Sequence, residues 1–119
     1  ERAMLEFPAG KLDPGEPVLE CAVRELAEET GYGGGELVFL GDLRPHPALL
    51  SNRMWVYLAR GVRPIARPQP DAAEDIEVVL LGLDEVPARI AAGEIDNAMV
   101  IAALAMAGCP ANDPNRRAR

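Results

Sequence analysis

The residues with the clearest chemical potential are three glutamates within five positions, Glu25, Glu28 and Glu29. The segment around them predicts a helix, in which Glu29 lies ~40° from Glu25 and Glu28 lies ~60° away on the other side. Three carboxylates on one side repel each other, and they lie near the negative end of the helix dipole. A hard divalent cation prefers carboxylate oxygens and would relieve this repulsion. The alternative is an acidic helix face that is simply exposed to solvent.

The helix expected to carry these glutamates covers Glu16 to Thr30. Pro17 falls in its first turn, where a missing N–H costs nothing, and Gly31 is the residue expected to end it. Its apolar residues recur at spacings of three and four and predict one buried stripe, formed by Val18, Leu19, Ala22, Val23 and Leu26. The preceding segment, Ala9 to Gly15, contains two glycines and a proline and is predicted to be a loop.

The remaining elements mix strands and helices without regular alternation. Strands are predicted at Met4–Phe7, Leu37–Leu40, Met54–Ala59 and Ile76–Leu83, and Arg63–Asp71 is predicted to be an exposed loop. Helices are predicted from Asp84 to about Ala92 and, with Asp96 or Asn97 as the cap, through Ala107. This mixture predicts an α/β or α+β class with a mixed sheet. We expect one domain over residues 1–109 and a flexible tail over 110–119.

Composition limits the possible functions. The chain has 119 residues, 49% of them hydrophobic, which suits one domain with a buried core. Its net charge is −7, from 12 Lys+Arg and 19 Asp+Glu, which argues against a nucleic-acid partner. The longest apolar run, Ala98–Ala107, is too short to cross a bilayer, so no membrane partner is expected. Two cysteines, Cys21 and Cys109, are too few for a disulfide framework or a zinc site and indicate a reduced, cytoplasmic setting.

The three glutamates belong to a longer pattern of fixed spacing. Its seven positions are Gly10, Glu16, Arg24, Glu25, Glu28, Glu29 and Gly31, with apolar Leu26 and aromatic Tyr32 between and after them. The pattern resembles the Nudix hydrolase signature, G-x5-E-x7-R-E-U-x-E-E-x-G-U, in which U is bulky and apolar. Every fixed position matches, and the chance of this is on the order of 10⁻⁹ per starting point.

This resemblance implies a Nudix fold, an α/β/α sandwich around a mixed sheet. It also implies hydrolysis of a nucleoside diphosphate linked to another moiety, with Mg²⁺ or Mn²⁺ as cofactor. Glu25 and Glu29 would be the main metal ligands, Glu28 would share the metal or support it, and the carbonyl of Ala9 would complete the site. The chain starts almost at the signature, so we expect that N-terminal strands of the fold are missing or come from a partner subunit.

The other signature residues receive supporting roles from the same resemblance. Arg24 and Glu28 are four residues apart on the helix, so Arg24 is expected to orient a carboxylate; the alternative is an ordinary surface ion pair. Glu16 would brace the junction of loop and helix. Gly10 would let the backbone approach the metal, and Gly31 would permit a sharp exit from the helix.

Pro47, fifteen residues after Tyr32, resembles the corresponding proline of the ADP-ribose pyrophosphatase branch. That branch takes its general base from a later acidic loop, and Glu74 is the first candidate here, followed by Asp75 and Glu77. In other parts of the family the base is a signature glutamate, which here would be Glu28. The alternative for the later loop is a purely solubilising role.

Three residues are candidates for substrate contact: Pro47, His46 and Arg53. A structural role is the alternative for His46 and a loop proline is the alternative for Pro47. The aromatic residues Phe39, Trp55 and Tyr57 could stack on a base, although aromatic residues in strands usually lie in the core.

The leading interpretation is a pyrophosphohydrolase of ADP-ribose or another nucleotide sugar. The alternatives are a pyrophosphohydrolase of damaged nucleoside triphosphates and an inactive Nudix module that binds a nucleotide. A homodimer is expected, because a small sheet leaves edges uncovered and because Ala98–Ala107 offers much apolar surface. Core packing of that helix is the alternative explanation.

Overall fold

The structure is a computed structural model that describes residues 4–49, 52–69 and 76–108. The chain divides into two compact units. One unit is Pro8–Val79, and the other joins Glu1–Phe7 to Leu80–Arg119. The single domain over 1–109 remains a prediction, and the tail over 110–119 lies outside the described residues.

Helix α1, Val18–Thr30, is the main helix of the Pro8–Val79 unit. It begins two residues after the predicted start because Pro17, with φ of −62° and ψ of 145°, is extended and precedes the helix. Gly31 ends the helix as predicted, with a left-handed φ of 77° and its N–H bonded to the carbonyl of Ala27. Cys21 is the buried side chain of α1.

Four strands in two antiparallel pairs complete this unit. They are β1 (Tyr32–Gly33), β2 (Glu36–Leu43), β3 (Met54–Arg60) and β4 (Arg63–Pro64). Strand β1 pairs with β4, and β2 pairs with β3 with a β-bulge between Phe39 and Gly41. The predicted strands Leu37–Leu40 and Met54–Ala59 are confirmed as β2 and β3, and both are longer than expected. Strand β4 lies in a segment that was expected to be a loop.

The second unit is built on two short helices, α2 (Val86–Ala91) and α3 (Ala98–Met106), with a 3₁₀ turn at Leu83–Glu85 before them. The side chain of Asn97 accepts a hydrogen bond from the N–H of Met99 at 2.9 Å, so Asn97 rather than Asp96 caps α3. The core of this second unit is made of Val86, Ile95, Val100 and Leu104, with Leu5, Leu81 and Ile90 packed against it.

Two predicted strands are wrong. Neither Met4–Phe7 nor Ile76–Leu83 forms a strand in the described structure. The N–H of Leu5 donates to the carbonyl of Glu94, in a loop, so Met4–Phe7 has no ladder to join. Within the described ranges every strand pair is antiparallel, so the expected mixed sheet is not formed by these residues. In the same ranges, no helix has the length and apolar character needed to span a bilayer.

Candidate active site

The guanidinium of Arg24 lies among three carboxylates of the signature. Its Nε and Nη2 donate to the two oxygens of Glu16 at 2.8 and 2.9 Å, which is a bidentate pair. Its Nη1 donates to Glu25 Oε1 at 2.9 Å and to Glu28 Oε2 at 3.1 Å. Asp13 lies 3.6 Å from Nη2. One arginine therefore links the start of the loop–helix junction to two glutamates in the middle of α1.

This arrangement shifts the protonation equilibria of both partners. The hydrogen bonds from Arg24, supported by the backbone N–H of Asp13 at 3.1 Å, lower the pKa of Glu16 from 4.5 to about 2. The same hydrogen bonds to Glu16 raise the pKa of Arg24 further above its ordinary value. Glu16 is therefore ionised over the whole physiological range, and the pair stays charged.

The loop before α1 approaches the helix through its backbone. The N–H of Ala9 donates to Glu29 Oε2 at 3.0 Å. A Cβ built on Gly10 would overlap the carboxyl group of Glu25, so a side chain at position 10 would displace that carboxyl group. The carbonyl of Lys11 accepts from Arg24 Nη2 at 3.3 Å and from the thiol of Cys21 at 3.6 Å. Backbone atoms of three consecutive loop residues thus lie against side chains of α1.

Cys21 is a contact of this loop that the sequence did not reveal. The composition indicated only that the cysteine was free of a disulfide or zinc role. Burial raises the pKa of its thiol, and the nearby Glu16 carboxylate acts in the same direction. The predicted buried stripe of α1 did not include Cys21, and it was wrong for Leu19 and Val23, which are 47% and 46% exposed. Cys109 lies outside the described residues.

The donor atoms suit a divalent cation, but they are not gathered around one point. Within residues 4–49, 52–69 and 76–108, no group of three His, Cys, Asp or Glu side chains is arranged to hold a metal ion. Glu25 and Glu28 accept hydrogen bonds from Arg24, and Glu29 accepts one from the N–H of Ala9. The role of the three glutamates as metal ligands together with the Ala9 carbonyl stays a prediction.

The chemistry of the residues nevertheless fits such an ion. All three carboxylates offer the hard oxygen ligands that Mg²⁺ and Mn²⁺ prefer. The carboxyl group of Glu25 occupies the space that a side chain would fill at Gly10, so one of these carboxylates lies against the loop backbone.

The predicted substrate contacts lie on the segment between β2 and β3 and at its end. His46 and Pro47 are exposed, and the carbonyl of His46 accepts from the N–H of Leu49 at 3.1 Å, closing a turn. The guanidinium of Arg53 pairs with Asp42 of β2 at 2.5 Å, so part of its charge is already balanced.

Glu74, the first candidate for the general base, and Asp75 lie outside the residues that the structure describes. Glu77 is exposed in an irregular segment. Phe39 and Tyr57 form a tilted ring pair with centroids 5.3 Å apart. Phe39 is 52% exposed and Trp55 is 39% exposed. In the described structure, therefore, these two side chains do not lie in a core, where aromatic residues of strands usually lie.

The model of the NUDIX domain family matches residues 1–104. An ADP-ribose pyrophosphatase of Mycobacterium tuberculosis is 38% identical over 103 residues, which are 85% of this chain and 50% of that protein. The ADP compounds hydrolase NudE of Escherichia coli is 43% identical over 60 residues, 50% of this chain and 32% of that protein. A crystal structure of ADP compounds hydrolase matches with a TM-score of 0.77 and 32% identity, covering 87% of this chain and 56% of that chain.

The family match and the folded signature define the class of protein: the chain belongs to the Nudix family. Its relatives place it in the ADP-ribose pyrophosphatase branch of that family. The structural match confirms the expected α/β fold class. Nudix hydrolases generally use divalent metals. The chain spans half or less of the length of these two curated relatives.

Proposed function

We propose that this protein is a metal-dependent pyrophosphohydrolase that cleaves the diphosphate of ADP-ribose or another nucleotide sugar. The observation that carries the proposal is the arrangement of Arg24 with Glu16, Glu25 and Glu28 beside the Ala9–Gly10 backbone. It gathers a charged network on a helix–loop junction that folding alone does not require. The similarity to an ADP-ribose pyrophosphatase and to an ADP compounds hydrolase supports the substrate class.

In this proposal Glu25, Glu28 and Glu29 hold the divalent cation, Mg²⁺ or Mn²⁺, together with the carbonyl of Ala9. The bound ion would neutralise the charge of the diphosphate, which otherwise repels both water and the enzyme's carboxylates. Arg24 acts as a positioning residue, because its bidentate bond to Glu16 fixes the guanidinium from which Glu25 and Glu28 are oriented. Gly10 leaves room for the carboxyl group of Glu25 itself, which lies where a side chain at position 10 would begin.

A general base must take a proton from the attacking water, and Glu74 is the residue proposed for it. The N–H of Gln69 donates to the backbone carbonyl of Glu28. The chain therefore contacts the C-terminal end of α1 five residues before Glu74. Five residues span at most ~18 Å, which keeps Glu74 within reach of the site. Glu28 is the competing base, and one of its oxygens already accepts from Arg24.

Arg53, His46 and Pro47 are proposed as substrate contacts. Arg53 would have to exchange its pairing with Asp42 for a phosphate oxygen, and both partners are exposed enough for that exchange. His46 and Pro47 are exposed on the neighbouring turn, where a sugar or base could be contacted.

The proposal is tested by following hydrolysis of ADP-ribose, other nucleotide sugars, dinucleotides and nucleoside triphosphates with Mg²⁺ and with Mn²⁺. We expect ADP-ribose or a related nucleotide sugar to be the best substrate, and excess chelator to abolish the reaction. A preference for a nucleoside triphosphate would refute the substrate assignment. Nucleotide binding without hydrolysis of any of these compounds would refute the enzymatic activity.

A homodimer in the cytoplasm is also part of the proposal. The uncovered edges of the two-stranded sheets in the described ranges support a partner subunit. Helix α3 gives less support than expected, because Val100, Ala103 and Leu104 are already buried. Sedimentation at micromolar concentration tests this point, and a fully active monomer would contradict it.

A further inference from the structure

The segment Ile65–Gln69, here called the brace, runs across the C-terminal end of α1. The N–H groups of Ile65 and Ala66 both donate to the carbonyl of Gly31, at 2.8 and 3.2 Å. The N–H of Gln69 donates to the carbonyl of Glu28. The brace therefore supplies three backbone hydrogen bonds to the last turn of α1 and the residue that follows it.

One of these three hydrogen bonds, from Gln69 to Glu28, goes to a carbonyl that the helix cannot satisfy by itself. The last four carbonyl groups of an α-helix have no partner within the helix. In α1 the N–H of Gly31 binds the carbonyl of Ala27, and the hydroxyl of Thr30 binds that of Leu26. The carbonyl of Glu28 receives the N–H of Gln69 from the brace. The residue that gains this partner is one of the proposed metal ligands.

The approach of the brace to the helix end is very close. A Cβ on Gly31 would overlap the carbonyl oxygen of Ala66 and would lie 3.2 Å from the ring of Pro68. A Cβ on Gly33 would meet the side chain of Ile65. Glycine at position 31 therefore serves two purposes, the left-handed end of α1 and the docking of the brace.

The sequence around Gln69 prevents either chain neighbour from replacing it as the donor to Glu28. Gln69 stands between Pro68 and Pro70, and neither proline has an N–H to donate. The two prolines also restrict the backbone on both sides of Gln69, which reduces the conformational freedom lost when the bond forms.

We propose that the brace positions Glu28 and Glu29 and so sets the affinity of the site for a divalent cation, with the Gln69 N–H as its decisive contact. No position of the Nudix signature covers Ile65–Gln69. The inference rests on the proposed metal-dependent function. Its physical basis is that contacts to a ligating residue help to orient it. Loss of a partner of the ligating group itself typically costs 10- to 100-fold in metal affinity, and a contact to the backbone of that residue is expected to act at the lower end of this range.

The test compares Gln69→Pro, which removes the N–H, with Gln69→Ala, which removes the side chain and keeps the N–H. Mn²⁺ binding is measured by titration with detection of free Mn²⁺ by electron paramagnetic resonance. We expect the dissociation constant to rise ~10-fold in Gln69→Pro and to stay within ~2-fold of wild type in Gln69→Ala. Equal affinity of both variants and wild type would overturn the inference. Wild-type protein that binds no Mn²⁺ would overturn the proposed function instead.

A second measurement needs no variant. Hydrogen–deuterium exchange of the wild-type chain is followed at the Gln69 amide and in the last turn of α1. We expect the Gln69 amide to be protected and the protection to increase when Mn²⁺ is added. Exchange at the rate of an unprotected amide, with and without Mn²⁺, would overturn the inference even if Gln69→Pro did not fold.

Discussion

Arg24 and Leu104 hold their respective units by opposite kinds of interaction. Arg24, in the Pro8–Val79 unit, binds three carboxylates while its side chain is 29% exposed. Leu104, in the other unit, is 4% exposed and packs with Val86, Ile95 and Val100. The first unit concentrates charge at the proposed site of diphosphate hydrolysis, and the second buries apolar surface. Changes of charge should therefore alter chemistry in one unit, while changes of volume should alter stability in the other.

The largest expected effect in the charged unit is loss of the proposed base. Glu74→Gln should lower kcat by about 10²- to 10⁴-fold, because an amide cannot accept the proton of the attacking water. Mn²⁺ affinity, measured separately, should stay near the wild-type value. Glu28→Gln is the comparison: if it abolishes the chemical step while Glu74→Gln changes nothing, the base lies in the signature.

Loss of a proposed metal ligand should come next. Glu29→Gln keeps the size of the side chain but removes its charge, and we expect turnover to fall ~10²-fold or more. Glu20→Gln, on the exposed face of the first turn of α1, is the matched control and should leave turnover unchanged. Equal turnover of Glu29→Gln and wild-type protein would remove Glu29 from the metal site.

In the apolar unit, truncation of a core residue should affect stability alone. Leu104→Ala should lower the free energy of unfolding by about 2–5 kcal/mol, since it removes packed atoms and leaves a cavity. Ile101, 37% exposed on the same helix, provides the control, and Ile101→Ala should cost clearly less. Urea denaturation measures both. Similar losses for the two variants would contradict the core that the structure places around Leu104.

The smallest predicted effect is a dependence of stability on acid pH. Because folding lowers the pKa of Glu16 from 4.5 to about 2, its contribution is present above pH 4.5. It is lost as the pH falls from about 4.5 to about 2. Thermal unfolding across this range should show a decline that is weaker in Glu16→Gln. Parallel curves for the variant and wild type would show that the Arg24 pair contributes nothing measurable.

Local patterns in the sequence predicted those elements whose signals are local. The spacing of apolar residues and Gly31 located α1, although the predicted helix began two residues too early. Asn97 was one of two residues expected to cap the last helix. Met4–Phe7 and Ile76–Leu83 have strand-like composition, but a strand also needs a partner, which composition does not contain. Strand prediction failed for these two segments for that reason.

The contacts of the candidate site also fall into local ones, which the sequence predicted, and distant ones, which it did not. The four-residue spacing of Arg24 and Glu28 predicted their ion pair, because spacing on a helix is a local property. It did not predict the bidentate pair of Arg24 with Glu16, which precedes the helix. The contacts of Ala9 with Glu29 and of Gln69 with Glu28 join residues 20 and 41 positions apart, and no periodicity signals them. The direction in which each carboxylate turns depends on those distant partners.

The bulge in β2 gives the β2–β3 hairpin one surplus residue. Phe39 lies opposite Tyr57 and Gly41 lies opposite Val56, so Leu40 is the residue left without a counterpart. Deleting Leu40 would keep Asp42 opposite Trp55 and would leave every later side chain on its present face. Deleting Val38 would instead move part of the strand to the opposite face. Tolerance of this hairpin to length changes is thus concentrated at a single position, which a scan of one-residue deletions would locate.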